Sequence, residues 1–264
     1  MTIYGDLLRY RDLFANLFRR DFQARYKGSA LGILWSLANP LLLMGIYVLV
    51  FSLLWRVTDE VPYYPLYLLT GLAAWIFFST SLQAAARSML DNASLIRKTR
   101  FPRQLVPLSS VATQLVTFVV MLAVLVVVNM AVIPEVRPTA WLALPLAVVF
   151  TALVGGLSVA VAAANVVLRD IEHLVGAILL PWFFLTPVLY RFEQFVPADR
   201  DGLVTALRYG NPITPPIEAI RAPLWEGRLP RLGDVVYLCV AAAVALALGA
   251  WVFARVDDRI AVEL

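Results

Sequence analysis

Six long uncharged runs constrain this chain more than any other feature: Gly28 to Trp55, Val61 to Ala86, Gln104 to Pro134, Pro138 to Leu168, Leu174 to Tyr190 and Val235 to Ala254. A helix rises about 1.5 Å per residue, so about 20 predominantly apolar residues cross a hydrocarbon core about 30 Å thick. Each run except the fifth reaches that length, and the fifth carries Pro181 and Pro187. A core that must satisfy its backbone groups without water accepts helices, so the expected fold is an all-α integral membrane protein with six transmembrane helices.

Composition agrees. The chain of 264 residues is 61% apolar and 15% charged, with a mean hydropathy of +0.78. Soluble domains run at about 45 to 50% apolar and about 25% charged. The first 27 residues alternate charged with apolar positions and hold no uninterrupted hydrophobic stretch, so the expectation is a retained amino terminus with no cleavable signal peptide. One cysteine, Cys239, and one histidine, His173, are too few for a disulfide framework or a Cys/His metal cluster, so no metal site is expected. The net charge of +4 does not point to nucleic acid, because the basic residues flank the apolar runs, where anionic headgroups and orientation account for them.

Lys and Arg concentrate on the cytoplasmic side of short loops. Six precede the first run (Arg9, Arg11, Arg19, Arg20, Arg25, Lys27) and five lie between the second and third (Arg87, Arg97, Lys98, Arg100, Arg103), against Arg56 and Arg137 in the loops that follow runs one and three. This predicts a multi-pass protein of the cytoplasmic (inner) membrane with both termini cytoplasmic. The stretch Arg191 to Gly233 holds six Arg but lies outside in this topology; long external regions cross largely regardless of charge. Its proline breaks and apolar patches predict short re-entrant external helices before the last span, with other helices shielding the interrupted backbone. Before the first run, Leu7, Tyr10, Phe14, Leu17 and Phe18 share one helical face, and Arg9, Asp12, Asn16, Arg19 and Arg20 the other. That predicts an amphipathic interfacial helix, lying on the membrane or against the bundle's own flank.

Catalytic chemistry finds no footing. The uncharged runs contain no paired ionisable groups, Ser158 has no histidine beside it, and Gly155, Gly156 and Ser158 fit small-residue helix packing. The RDIEH segment, Arg169 to His173, reads more simply as a charged turn than as an acid/base cluster. The chain has no Gly-Lys pair and so no phosphate-binding loop of the GxxxxGK type; any nucleotide hydrolysis belongs to another polypeptide.

Four segments, in order, carry a resemblance: RDFQARYKGSALGILWSLANPLL (Arg20 to Leu42), SLIRKTRFPRQLVPLS (Ser94 to Ser109), NVVLRDIEHLV with PWFFLTPVLY (Asn165 to Tyr190), and NPITPPIEAIR (Asn211 to Arg221). The chain resembles the membrane subunits of ABC-2 type polysaccharide exporters over nearly its whole length. It departs at Pro215 and Pro216, where the family more often has an apolar pair. The resemblance implies one transmembrane domain over residues 1–264 and a homodimer with the path between its copies. It implies two separate ABC ATPase subunits that hold ATP and Mg, with no cofactor on this chain. It also implies a cargo glycan on a polyprenyl diphosphate lipid: O-antigen, teichoic acid, capsule or cell-wall galactan. Twenty Arg against two Lys is compatible with a high-GC genome and so with the galactan.

The path implied by the resemblance runs beside spans one and five. Sugar hydroxyls stripped of water cost several kcal/mol each if left unpaired, whereas pyranose C–H faces slide on aromatic walls. Trp35, Asn39, Tyr47, Trp182, Phe183, Phe184 and Tyr190 are the candidates for the wall; membrane-interface anchoring or packing is the alternative for each. The cytoplasmic loop 88–103 is the implied ATPase contact, with Ser88, Met89, Leu90, Asp91, Asn92, Leu95 and Ile96 as its surface and the helix 1–27 as a secondary contact. Arg169, Asp170 and Glu172 of the RDIEH turn form a further secondary contact. Met89→Asp or Leu95→Asp is expected to uncouple ATP hydrolysis from export. The cations Arg97, Lys98, Arg100 and Arg103 orient the chain, and Pro102 and Pro107 shape the entry into the third span. The external region 191–233 is the implied gate, with Asn211, Pro212, Glu218 and Arg221 as its residues. A drug or lipid permease is the alternative within transport. A membrane glycosyltransferase, a lipid-processing enzyme or a structural anchor are the alternatives outside it.

Overall fold

A computed structural model describes residues 9–27, 32–55, 61–99, 101–192 and 201–263. Residues 1–8 of the amphipathic segment (Leu7 among them), 28–31 at the head of the first run, Arg56, Arg100 in the loop 88–103, and 193–200 of the outer region lie outside the described residues. No strand occurs among the described residues. The helices are α1 (Arg11–Tyr26), α2 (Trp35–Trp55), α3 (Tyr64–Asp91), α4 (Ala93–Lys98), α5 (Leu105–Val132), α6 (Ala143–Val167), α7 (Ile171–Leu185), α8 (Asp201–Gly210), α9 (Thr214–Arg221) and α10 (Leu232–Glu263).

Among the described residues four helices are long and apolar enough to cross a membrane: α3, α5, α6 with the short turn before it, and α10. The first run yields α2, a helix of 21 residues whose fully described apolar stretch is Ala38–Val50, and the fifth yields a shorter apolar helix, Ile171–Leu185. The fifth ends where its sequence requires it to end. Thr186 precedes Pro187 and is extended (φ −97°, ψ 133°), as a residue before proline prefers.

The α3 helix forms the centre of the bundle. Its buried face meets α2, α5, α6, α7 and α9. Phe77 stacks on Phe118 of α5 with ring centroids 4.8 Å apart, and Phe150 of α6 meets Phe77 edge-on at 5.9 Å. Such aromatic pairs add about 0.5 to 1.5 kcal/mol each to the area they bury. The α6 helix lies against α10 at backbone distance: a Cβ on Gly156 would collide with the main chain of Ala245 and Leu246. Gly156 is thus a small-residue contact of the kind the sequence suggested, and Ser158 beside it is fully buried.

The α1 helix follows its expected faces. Leu17 is buried and Phe14 and Phe18 are half-buried, while Arg9, Asp12, Asn16, Arg19 and Arg20 are exposed. It is docked on α5 by polar bonds as well: Ser109 Oγ donates to Asp21 Oδ2 at 3.0 Å, and Arg25 donates to Gln114. The outward faces of α5, α7 and α10 are apolar, with Val127, Leu180, Leu185, Val240, Val244 and Trp251 exposed. In water those side chains would forgo about 25 cal/mol for every Å² left unburied; lipid removes that penalty.

Candidate functional site: an aromatic wall between two charged poles

The wall begins with the apolar lengths of α2, α3 and α7, which bring rings from three segments of sequence into one chain of contacts. Tyr47 of α2 meets Phe183 of α7 at 6.1 Å, and Phe183 meets Trp75 of α3 at 5.5 Å. Trp75 touches Phe78 at 5.5 Å, and Phe78 meets Trp182 edge-on at 5.3 Å. Phe184 adds an edge contact to Phe183 at 5.4 Å and turns outward, 54% exposed. Four of the seven expected wall residues therefore come together. Trp35, 56% exposed, and Asn39 stand on the outside of α2 nearer its start. Tyr190 lies beyond α7, its hydroxyl donating to the Phe184 carbonyl at 2.8 Å. Trp75 and Phe78 were missed by sequence reasoning, although their three-residue spacing in GLAAWIFF put both rings on one face of the uncharged length of α3.

At the Tyr64 end of α3, Asn211 ties the outer helices to the wall. Its Oδ1 accepts from Trp182 Nε1 at 2.9 Å and from the Ile213 N–H at 3.1 Å, and its Nδ2 donates to Thr186 Oγ1 at 2.9 Å. Pro212 follows it, half-buried. Pro215 and Pro216 fall in the first turn of α9, where a missing N–H costs little, so the departure from the family pattern still makes a helix.

Arg221 closes the same pole and is 0% exposed. Its Nη1 donates to the Pro187 carbonyl at 3.0 Å and to Glu218, and its guanidinium lies 3.8 Å from the centre of the Tyr67 ring. Tyr67 in turn donates to the Tyr190 carbonyl at 2.7 Å, and Tyr64 to the Leu189 carbonyl at 2.8 Å. Gly71 is required there because a Cβ would run into the Arg221 guanidinium. Behind this lies a second pair, Arg208 with Asp234, joined by Nε to Oδ1 at 2.9 Å and by a second contact. Burial pulls the Arg208 pKa down, but its bond to Asp234 and the charges of Glu218 and Asp234 more than offset that, so it is raised overall. Neither Arg208 nor Asp234, which is 1% exposed, was singled out from the sequence; they are brought together only by the fold. The chain then leaves α9 through a widened turn, Ala222–Glu226, stopped by Gly227 at φ +64°. Three bonds hold that turn: Asn129 to the Leu224 carbonyl, Thr139 to that of Pro223, and Trp225 to that of Pro62.

The Asp91 end of α3 is built differently. Ser88 and Met89 still belong to α3, and Met89 is 0% exposed, packed with Leu17, Ile96, Leu105 and Phe253. Ile96 is buried in the same cluster, and Leu90, Asn92 and Leu95 are half-buried. The surface left open is Asp91, Ser94, Arg97 and Lys98. Arg169 and Asp170 are exposed, while Ile171 to His173 already form the first turn of α7, so the RDIEH turn is shorter than its sequence suggested. Asn165 fixes that start: its Nδ2 donates to the Ala86 carbonyl at 2.7 Å, and its Oδ1 accepts from the Glu172 N–H at 2.9 Å. Glu172 pairs with Arg87 at 2.6 Å. Between α1, α3 and α5 opens a cavity of about 690 Å³, lined by Arg20, Asp21, Arg25, Arg87, Asp91 and Gln114 among others.

Residues 12–225 match the family model described as ABC-2 type transporter. The chain is similar to the O-antigen export system permease protein RfbA of Myxococcus xanthus, with 37% identity over 250 residues covering 94% of this chain and 92% of that protein. Two proteins of the same name from Klebsiella pneumoniae are 36% and 34% identical, covering 74% and 83% of this chain and 74% and 82% of their own lengths.

Proposed function

The chain belongs to the ABC-2 type transporter family, and on that premise we propose that it is the transmembrane subunit of an ATP-driven exporter that moves a lipid-linked polysaccharide out across the cytoplasmic membrane. The observation that carries this reading is its similarity, over nearly the full length of both chains, to a permease named for O-antigen export. Three rings support it, because half-buried Tyr47 and Trp182 and exposed Phe184 keep ring surface outside the core with no fixed charge among them to halt a moving chain, while Trp75, Phe78 and Phe183 are buried behind them as packing.

In this reading six segments span the membrane, α7 as the short one, and both termini are cytoplasmic. Two copies face each other across the path, with the exposed apolar faces of α2 and α7 (Leu42, Ile46, Leu49, Phe184) toward it. Two separate ATPase subunits bind ATP and Mg below and press on the Asp91 end of α3, on α1 and on the start of α7. A ligand shifts an equilibrium only through a differential interaction with two states. The surface that can feel the ATPase is Asp91, Ser94, Arg97 and Lys98, and the Asn165 and Arg87–Glu172 bonds would carry its movement into α7. The outer helices α8 and α9 act as the gate, with Asn211, Pro212, Glu218 and Arg221 holding it to α3 and α7. The cargo is O-antigen or a related glycan such as teichoic acid, capsule or galactan.

Deleting the gene and analysing lipid-linked glycans tests the proposal. Accumulation of a polyprenyl-linked glycan inside the cell, relieved by the wild-type gene, is expected. Unchanged lipid-linked glycans with normal surface polysaccharide would overturn it.

A further inference from the structure

The α8 helix carries its polarity the wrong way round for a helix in water. The side chains it leaves exposed are Leu203, Thr205, Ala206 and Leu207, and no charged side chain among its described residues stands outward. Its one cation, Arg208, is turned inward and buried against Asp234 of α10. A helix packed on a protein and facing water shows the reverse, apolar residues in and charges out. Two exposed leucines alone would be ordinary. Here they have neighbours: the segment entering α10 leaves Leu229 69% and Leu232 78% exposed, and Val236 follows one turn on.

The α10 helix supplies the scale. Leu232, Val236, Val240, Val244, Leu248 and Trp251 recur every three or four residues and are all exposed. They form one outward stripe about 28 Å long, which matches a hydrocarbon core about 30 Å thick. At its far end Arg255 lies over the Trp251 ring at 4.5 Å, an aromatic and a cation of the kind found where hydrocarbon meets headgroups. At its near end Arg231 is exposed between Leu229 and Leu232, and Tyr209 of α8 meets Tyr237 at 5.7 Å. Asp234 follows Leu232 closely, so its bond to Arg208 pins the last turn of α8 at the depth where the stripe begins. Gly233 leaves room for that approach, since a Cβ there would come within 2.6 Å of the Tyr209 hydroxyl.

We propose that α8 is a lipid-facing helix, lying at the boundary of the bilayer with Leu203 and Leu207 on acyl chains and Arg208 beneath it, clamped to Asp234. Bilayer lipid is the occupant of this face because the face continues the apolar stripe of α10, whereas the surfaces assigned above to a second copy belong to α2 and α7. The helix shields the ion pair from hydrocarbon, where a bare carboxylate would be costly. In the orientation proposed above this boundary is the outer one. The lipid contact goes beyond the export reading and needs only that the chain spans a membrane.

The test places single cysteines in the full chain carrying Cys239→Ser, labels each with bimane and reconstitutes the protein in phosphatidylcholine nanodiscs. Two quenchers are compared: phosphatidylcholine brominated along its acyl chains, and iodide in the water. Labels at Leu203→Cys and Leu207→Cys are expected to lose fluorescence to the brominated lipid to the same degree as one at Val240→Cys, and to resist iodide. A label at Ser94→Cys, on the open surface of the far pole, should do the reverse. All four positions are exposed, so the substitutions leave the packing intact; melting temperatures check it. Iodide quenching as strong as at Ser94 gives the face to water, and protection from both quenchers gives it to a second copy or another protein. Either result overturns the proposal. No reading uses ATP or glycan, so a failure of the export reading in the gene deletion would leave this result untouched, and the reverse holds too.

Discussion

The two ends of α3 solve opposite problems with the same residue types. At the Tyr64 end, Arg208, Arg221 and Asp234 are buried, each charge is paired, and aromatic rings and main-chain carbonyls take up what remains. At the Asp91 end the charges stand in the open: Arg87 is 64% exposed at its side chain, and Asp91, Arg97 and Lys98 are exposed. Buried ion pairs are weak sources of net stability but break expensively, so they fix one arrangement. Exposed pairs contribute about 0 to 1 kcal/mol and exchange partners freely. The Tyr64 pole is therefore built as a clamp, and the Asp91 pole as a surface that can meet something else.

Substitutions break or sharpen this contrast. Arg221→Ala should have the largest effect, about 3 to 5 kcal/mol of lost stability, because it leaves Glu218 with only the more distant Arg208 at 3.9 Å and empties the space over Tyr67; a melt of the detergent-purified protein and its level in the membrane both report it. Met89→Asp comes next, at about 3 kcal/mol or more, since it places an unpaired carboxylate in the packed cluster with Leu17 and Phe253. Its loss of export would follow loss of protein, so it no longer serves as a clean uncoupling variant, and a normal melting temperature would contradict the packing described here. Trp182→Phe removes one hydrogen bond to Asn211 and should cost about 1 kcal/mol while loosening the outer helices, read as a small drop in melting temperature. Arg87→Ala should lower stability by less than about 1 kcal/mol. Smallest of all for stability is Ser94→Trp on the open surface, expected to leave the melt and the protein level unchanged while ATP-dependent export falls. Equal export by that variant would remove the contact surface from the account.

Much of the fold was legible because long uncharged runs and a 3.6-residue period are properties of local sequence. The α1 faces, the proline-ended fifth helix and the small-residue contact at Gly156 all follow from neighbours in the chain. Glu218 and Arg221 were named through the family resemblance, and their three-residue spacing in a short helix is what lets them pair. The Arg208 to Asp234 pair was not, since 26 residues and a glycine-stopped turn separate the partners and only tertiary packing decides that they meet. Trp75 and Phe78 escaped notice because α3 is apolar nearly all round, so its sequence does not say which face meets α7. The burial of Met89 and Ile96 escaped for a related reason: apolar residues beside a charged loop suit a partner's surface and the chain's own core equally well, and α1 and α10 fill that space.

The most direct test is transport itself. The chain and its partner ATPase, reconstituted together in sealed vesicles with a labelled polyprenyl-linked polysaccharide in the outer leaflet, should move the label into the lumen when ATP and Mg are added to the side bearing the ATPase. Arrival of labelled glycan in the lumen, abolished without ATP, is the predicted result. Movement that ignores ATP, or transport confined to drugs or simple lipids while the glycan stays outside, would contradict the account.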